Sequence, residues 1–402
     1  MTMAKRIVAI ALCMMMLSSM LVACGGRSTS GLKFELNPSG KSYKVLKYSG
    51  KATEVFIPAT HNGKPVTSIG EKAFWNSGAK ITSITLPDSI TSIGNGAFGT
   101  VETLEHINIP DSVVMIGSDA FYNCESLTTI TIPKSVTEFG ISIFAGCTSL
   151  TSVTFLGKIS KFEYHMFLDC HALESITFSE STTVIGEGCF QNCTSLKNVV
   201  IPNSIESIEN SAFKNCTSLT SIQIPDTTTL GAYVFEGCTS LRSANIPSVN
   251  TALWSTFSGC SSLTSITIPE SVTLLDGTFI GCSSLTSITI PESVTLINAA
   301  FKGCSSLTSI TIPSSVRKIE RVAFSGCTSL TNVTMSNSVK AMDNNIFRDC
   351  TSLTHINYLG TKADIEDNTM FTYTMSAEAD FLCIFVCADG EVEHYFETSY
   401  NH

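Results

Sequence analysis

Charge is scarce in this chain. Asp, Glu, Lys and Arg together make up 14% of its 402 residues, against about 25% in an average soluble domain. Serine and threonine take their place. The charge that remains leans acidic, at a net −10, and no cluster of Lys or Arg interrupts it. That excludes nucleic acid as a partner, because neutralising phosphates needs grouped cations. Catalytic signatures are missing as well. There is no G-x-S-x-G elbow, no Walker loop and no H-E-x-x-H pair, and no second domain to hold one. No CxxC pair occurs and the seven histidines are scattered, so zinc has no site at its usual spacing. The expectation is a protein that is not an enzyme, with no catalytic residue, cofactor, metal or small-molecule substrate.

The N-terminus reads as a targeting segment. Lys5 and Arg6 form a short positive region, and residues 7–21 are apolar and rich in Met and Leu. This run is shorter than the roughly 20 residues of a comfortable membrane span. It ends at Leu21-Val22-Ala23-Cys24, followed by a short polar spacer over residues 25–30. The arrangement resembles the signal of bacterial lipoproteins. That resemblance implies cleavage before Cys24 and acylation of its thiol and new amino group, and two or more acyl chains anchor a protein stably where one does not. Removing residues 1–23, which carry Lys5 and Arg6 and no acid, takes the net charge from −10 to −12. The alternative is an ordinary secretory signal with a chance cysteine.

A chain this long exceeds what one compact core usually sustains, about 250–300 residues. Repeats escape the limit, because each unit packs only on its neighbours. Here three residue types share one period. Short apolar strands end at Pro87, Pro110, Pro133, Pro202, Pro225, Pro247, Pro269, Pro291 and Pro313, with Leu156, Ser179, Ser336 and Leu359 in equivalent places. Phenylalanines recur from Phe98 to Phe347, with Phe74 before and Phe371 after, and cysteines from Cys124 to Cys350. The step is 23 residues, or 22 for the four steps from Pro225 to Pro313.

One unit reads Leu127-Thr-Thr-Ile130-Thr-Ile132-Pro133. Alternation predicts a half-buried strand with Ile130 and Ile132 inward and Thr129 and Thr131 outward. Pro133 ends it, having no N–H to give a ladder. Val136 and Phe139 predict a second short extended segment. Ile143, Phe144 and Cys147 then close the coil through a short helical turn. Stacking such coils places one strand of each in a continuous parallel sheet.

The cysteine series invites a disulfide or metal reading. Its spacing instead sets each cysteine over the next, as a column of buried thiols packing as small hydrophobes. Burial would also protect those thiols outside the cell. Cys383 and Cys387 lie outside the series and have the wrong geometry for an easy bridge if they share one face of a strand.

The full unit, Leu-x-x-Ile-x-Ile-Pro, then Ser-Val-x-x-Ile, then Ala-Phe-x-x-Cys-x-Ser-Leu, resembles the BspA-type (TpLRR) leucine-rich repeat across residues 66–359. The resemblance implies a right-handed repeat solenoid, mostly β with short helical turns. Residues 32–65 resemble the β-hairpin cap at the N-terminal end of such proteins, and residues 360–402 their C-terminal cap. Residues 24–31 would be a linker. The family's surface proteins are associated with adhesion, so the resemblance, together with the lipoprotein-like signal, implies an exported, membrane-anchored adhesion protein. Its partners would be extracellular proteins or glycans of a host or of neighbouring cells.

What remains is surface. Carboxylates after the strand-ending proline, such as Asp88, Asp111, Glu270 and Glu292, read as turn residues. The outward strand positions form two columns. The candidate binding face they define comprises His106, Thr129, Ser152, Ser175, Asn198, Ser221, Ser243, Ser265, Ser287, Ser309, Asn332 and His355, flanked by Thr131, Gln223 and Asn245. It is broad, neutral and hydroxyl-rich, without aromatics. Solenoids bind through such extended surfaces. Ser and Thr on solvent-facing strands also suit a passive stalk or coat with no specific ligand.

Overall fold

The computed structural model describes residues 28–343, 345–366 and 381–396. The leader, Cys24 and Phe371 lie outside them. The described chain is a parallel β-solenoid of about 14 turns, and each turn has three edges.

The first edge is the alternating strand. Thr129–Ile132 pairs in parallel with Ser152–Phe155 one coil on, in register from Thr129↔Ser152 to Ile132↔Phe155. Ile130 and Ile132 are buried while Thr129 and Thr131 face solvent. After Pro133 the chain turns, with the Val136 N–H donating to the Pro133 carbonyl at 3.2 Å. The second edge is a shorter strand, Glu138–Phe139, paired in parallel with Met115–Ile116 of the preceding coil.

The third edge carries the phenylalanine and differs from the short helix expected there. The N–H groups of Asp119, Phe121 and Asn123 donate forward to the carbonyls of Ile141, Ile143 and Ala145 in the next coil, at 2.8–3.0 Å. Alternate residues point their N–H the same way because Asp119 and Asn123 adopt left-handed backbone (φ 56° and 53°), which Asn, Asp and Gly tolerate best. Within the turn, Cys124 N–H reaches Phe121 O and Leu127 N–H reaches Cys124 O, a three-residue step. A helix would spend these carbonyls inside its own turn; here they also stitch coil to coil. Among the described residues the only helix is Lys362–Glu366.

The first-edge ladder is not continuous either. It breaks between His106–Ile107 and Thr129–Ile132 and again after Ser152–Phe155, and continues through isolated bridges at Ser175, Asn198 and Ser221. Its longest gap lies between Ser243–Ala244 and Ser309–Ile312, within the coils shortened to 22 residues. These coils lack one residue at the corner before the phenylalanine: Val136 precedes Phe144 by eight positions, Val272 precedes Phe279 by seven. There the second-edge strands lengthen to three residues, as in Leu274–Asp276 and Leu296–Asn298, and pair without a break from Ala252–Trp254 to Ala341–Met342. In this block the second edge carries the strand pairing, and the longest gap of the first edge coincides with it.

The core runs the length of the stack. Phenylalanine rings lie one above the next at 5.3–6.0 Å from Phe74 to Phe347, and burying each ring contributes about 1.5–3 kcal/mol. At one end, the strand Leu32–Leu36 pairs antiparallel with Tyr43–Tyr48, which pairs in parallel with Lys64–Ile69. Tyr48 stacks on Phe74 at 5.3 Å and continues the aromatic column. At the other end, His355–Tyr358 pairs with Phe381–Cys387, which hairpins back through Gly390–Phe396. Among the described residues, no helix is long and apolar enough to cross a membrane.

Candidate binding face

All but one of the fifteen proposed face residues are exposed, from His106 through Thr129, Thr131, Ser152, Ser175, Asn198, Ser221, Gln223, Ser243, Ser265, Ser287, Ser309 and Asn332 to His355. They share the first edge, and His106 and His355 stand near its opposite ends. Asn245 differs. It is half-buried, its Oδ1 accepts the Ile224 N–H at 2.8 Å and its amide donates to the Ile224 carbonyl at 2.7 Å. Asn245 therefore splices two coils where the strand ladder is failing, and its amide is not free to meet a ligand. Asn108 clamps Leu86 in the same way.

The other hydroxyl columns are also spent on the stack. After the strand-ending proline, Ser112, Ser271, Ser293 and Ser315 donate to carbonyls of the preceding coil at 2.6–2.8 Å. Thr91, Thr183, Thr273 and Thr295 do so at 2.8–3.3 Å along the second edge, by both hydroxyl and N–H. A third column, with Thr217, Ser261 and Ser305, bridges after the cysteine. These bonds explain much of the Ser and Thr content as coil-to-coil stitching. The face hydroxyls of Ser152, Ser221, Ser265, Ser287 and Ser309 make no such bond and stand open to solvent.

At the longest gap in the first-edge ladder, the face deepens into a groove of about 630 Å³. Ser265, Ser287 and Ser309 line it, Ile288 and Ile290 form an apolar floor, and Glu270 and Glu292 stand at its rim. Residues 264–268 and 286–290 are not joined by backbone pairing, so peptide N–H and C=O groups face the groove as well. The Ser314 hydroxyl donates to Glu292 Oε2 at 3.0 Å and fixes that carboxylate. Glu270 and Glu292 were expected to serve the turn; they also give the groove its charge.

The cysteine column is buried and reduced. Every cysteine of the series from Cys124 to Cys350 is a free thiol. Burial pushes Cys147, Cys238 and Cys282 up to about 12 and raises Cys124, Cys170, Cys193 and Cys216 well above the ordinary thiol value. Thiols held so far from ionisation are not nucleophiles. A twelfth buried thiol, Cys189, escaped the periodic reading because it occupies the small-residue position filled one coil on by Ala212. No group of three or more metal-ligating side chains occurs among the described residues.

The repeat profile described as the BspA type leucine rich repeat region matches residues 67–197, 183–299 and 274–381. The chain belongs to the BspA-type leucine-rich repeat family. A leucine rich cell surface protein from Faecalibacterium prausnitzii is similar at 28% identity and a TM-score of 0.55, over 87% of this chain and 98% of that one. A leucine-rich repeat protein from Bacteroides ovatus is similar at 27% identity and a TM-score of 0.53, over 87% of this chain and all of that one. The pneumococcal vaccine antigen PcpA shares the fold, at 19% identity and a TM-score of 0.55 over 86% and 96% of the two chains. Among curated proteins, none matches. BspA-type solenoids are scaffolds for protein interaction, and the stitched hydroxyl columns here are what such a scaffold requires.

Proposed function

We propose that this chain is an exported surface protein, anchored in the membrane by acylated Cys24, that adheres to extracellular proteins through its first edge, centred on the groove at Ser265, Ser287 and Ser309. One observation carries the reading. Many hydroxyls elsewhere on the stack are consumed in joining coils, whereas those of Ser152, Ser221, Ser265, Ser287 and Ser309 on the first edge are exposed and free, and the last three line a groove with unpaired backbone groups. A surface of free donors and acceptors over an apolar floor suits an extended protein segment. The cell-surface character of the Faecalibacterium relative supports the placement. Residues 32–65 and 360–402 serve as caps to the repeats.

A solid-phase binding assay of the purified protein against extracellular-matrix proteins and whole cells tests the reading, beside Ser265→Arg and Ser287→Arg. Each substitution puts a long cation into an exposed position and leaves the core alone. Binding that falls about tenfold or more in both variants, roughly 1.4 kcal/mol or more, supports the groove. Binding that is unchanged in both excludes it, and retention of no protein or cell at all favours the second reading, a passive stalk.

A further inference from the structure

The solenoid carries a second exposed feature on a different edge. Among the described residues, the exposed aromatic side chains are Tyr164, Tyr233 and Trp254, at 40%, 45% and 47% exposure. All three sit at the corner between the second edge and the phenylalanine turn, within four successive coil steps. Isolated exposed aromatics need no explanation, but three within four coil steps do.

The rings are held in place. Tyr164 lies across Gly186 of the next coil, where a Cβ would come within 2.8 Å of the ring, and the Lys161 ammonium sits 4.3 Å from the Tyr164 centroid. Lys214 stands 5.7 Å from Tyr233. The Tyr233 N–H donates to the Trp254 carbonyl at 2.8 Å, which joins the two coils' backbones beneath these rings. Such rings lose little freedom on meeting a ligand.

Beside Tyr164 a cleft of about 380 Å³ opens across the following coils, lined by Tyr164, Glu187, Glu209, Asn210, Thr229 and Leu230, and Trp254 stands one coil beyond it. Its lining sets polar groups beside Ile208 and Leu230. Glu187 and Asn210 are exposed in it. Glu209 accepts the Glu187 N–H through one oxygen at 3.1 Å, leaving its other oxygen open. Asn210 accepts the Ala232 N–H through Oδ1 at 2.8 Å, leaving its NH₂ pointed outward as a donor. The spacing from the Tyr164 coil to the Tyr233 coil is three steps of 5.3–5.7 Å.

We infer that this corner is a binding site for a linear neutral glycan. A pyranose chain presents apolar C–H faces and hydroxyl edges in alternation. The Tyr164 ring in the cleft and the Trp254 ring one coil beyond it on the same column match the faces, and the Glu187 and Glu209 carboxylates and the Asn210 amide between them match the hydroxyls, a pattern of aromatic platforms with few convergent polar groups. A protein partner fits less well, because protein hot spots gather their aromatics in one desolvated centre, whereas these rings have polar groups between them. An acidic glycan lacks a counter-charge: Lys161 is tied to Glu163 at 3.3 Å and Lys214 to Glu236 at 2.9 Å. The site is separate from the first-edge groove and does not depend on it.

Affinity electrophoresis of the full chain through gels containing a soluble β-glucan, xylan or mannan, with hyaluronan as the acidic probe, tests the assignment. The expected result is retardation by at least one neutral polysaccharide and none by hyaluronan. Trp254→Ala and Tyr164→Ala should each weaken that retardation about tenfold or more, and Gly186→Ala should weaken it by displacing the Tyr164 ring. Both aromatic side chains are exposed, so circular dichroism of these variants should match the parent. Ser287→Arg on the first edge should leave the retardation intact. Retardation by hyaluronan alone, by no polysaccharide, or equally in Trp254→Ala and the parent overturns the inference. So does loss in Ser287→Arg with retention in Trp254→Ala, which would move the glycan to the first edge.

Discussion

The Cys216 thiol donates to the Phe190 carbonyl at 3.2 Å, from 26 residues further along the chain. The same carbonyl accepts the N–H of Cys193 from its own turn at 3.1 Å. One coil's phenylalanine is thus satisfied on both lone pairs, once locally and once by the next coil's cysteine. The bond repeats from Cys124 onto Phe98 to Cys350 onto Phe324. The two columns that recur together in the sequence are therefore chemically one device, ring stacking joined to a sulfur–carbonyl bond at each step.

Those thiols make stability depend on alkaline pH. Burial raises Cys147, Cys238 and Cys282 to about 12 in the folded chain, whereas an unfolded thiol ionises near 8.5–9. A raised acid is protonated in the fold when it would be ionised in the unfolded chain. Its contribution is complete below about pH 8.5 and lost as pH climbs from about 9 through 12, at up to about 1.4 kcal/mol per pH unit for each thiol. Urea midpoints should be flat from pH 6 to 8 and fall steeply above 9. Midpoints that stay level to pH 11 would contradict the raised thiols. At pH 8 the native chain should also resist iodoacetamide, with labelling appearing only after unfolding.

Phe213 is fully buried, stacked on Phe190 at 5.3 Å and Phe235 at 5.7 Å. Phe213→Ala should cost about 3–5 kcal/mol, transfer and cavity terms together. Ser221→Ala on the exposed face should change stability by no more than about 0.5 kcal/mol. A denaturation measurement placing the two variants within 1 kcal/mol of each other, on the scale of ordinary surface changes, would show that the column does not bear the stack.

The columns were legible in the sequence because side-chain periodicity reports which residues share an edge. Phe213, Cys216 and Ile130 point inward for that reason. Backbone direction leaves no such trace. The forward-donating N–H groups of Asp119 and Phe121, and the thiol bond onto Phe190, depend on where carbonyls point, which residue identity does not record. Asn245 occupies a face position by spacing, yet its amide clamps Ile224. The three aromatics are also invisible to the period, since Tyr164 and Trp254 interrupt a corner column otherwise filled by Glu187, Asn210 and Ala232, and Tyr233 stands in the neighbouring column with Gly188 and Ser211. The groove lies in the block of shortened coils, and a count of 22 instead of 23 does not say which edge opens.

The proposed anchor can be tested directly at Cys24. Metabolic labelling with a fatty-acid analogue should mark the wild-type protein and not Cys24→Ala, which should be released or remain unprocessed. Two acyl chains anchor stably, so extraction of the wild type should need detergent. Equal labelling of the two proteins would remove the anchor from the account.

Repeat number should be adjustable within the 22-residue block. Residues 259–274 and 281–296 are identical, both reading GCSSLTSITIPESVTL. Their second-edge strands pair in the same register, Leu253↔Leu275 and Leu275↔Ile297. Deleting residues 270–291 joins Pro269 to Glu292 and re-creates the same sequence across the seam. Leu253 would then meet Ile297, and Phe257 would stack on Phe301, each replacing a partner of its own kind. Because stability in such arrays is roughly a sum over coils and their interfaces, the shortened chain should fold with a modest fall in melting temperature. Removing residues 381–396 should do more damage, because it strips the parallel partner from His355–Tyr358 and leaves an open strand edge over an exposed core. The coil deletion also takes Ser287 from the groove and leaves Tyr164, Tyr233 and Trp254 in place, so first-edge binding should weaken while glycan retardation persists. Thermal melts and circular dichroism of both deletions decide the matter. If the one-coil deletion unfolds and the end deletion melts with the parent, the coils are not interchangeable and the hairpin at the end is not their seal.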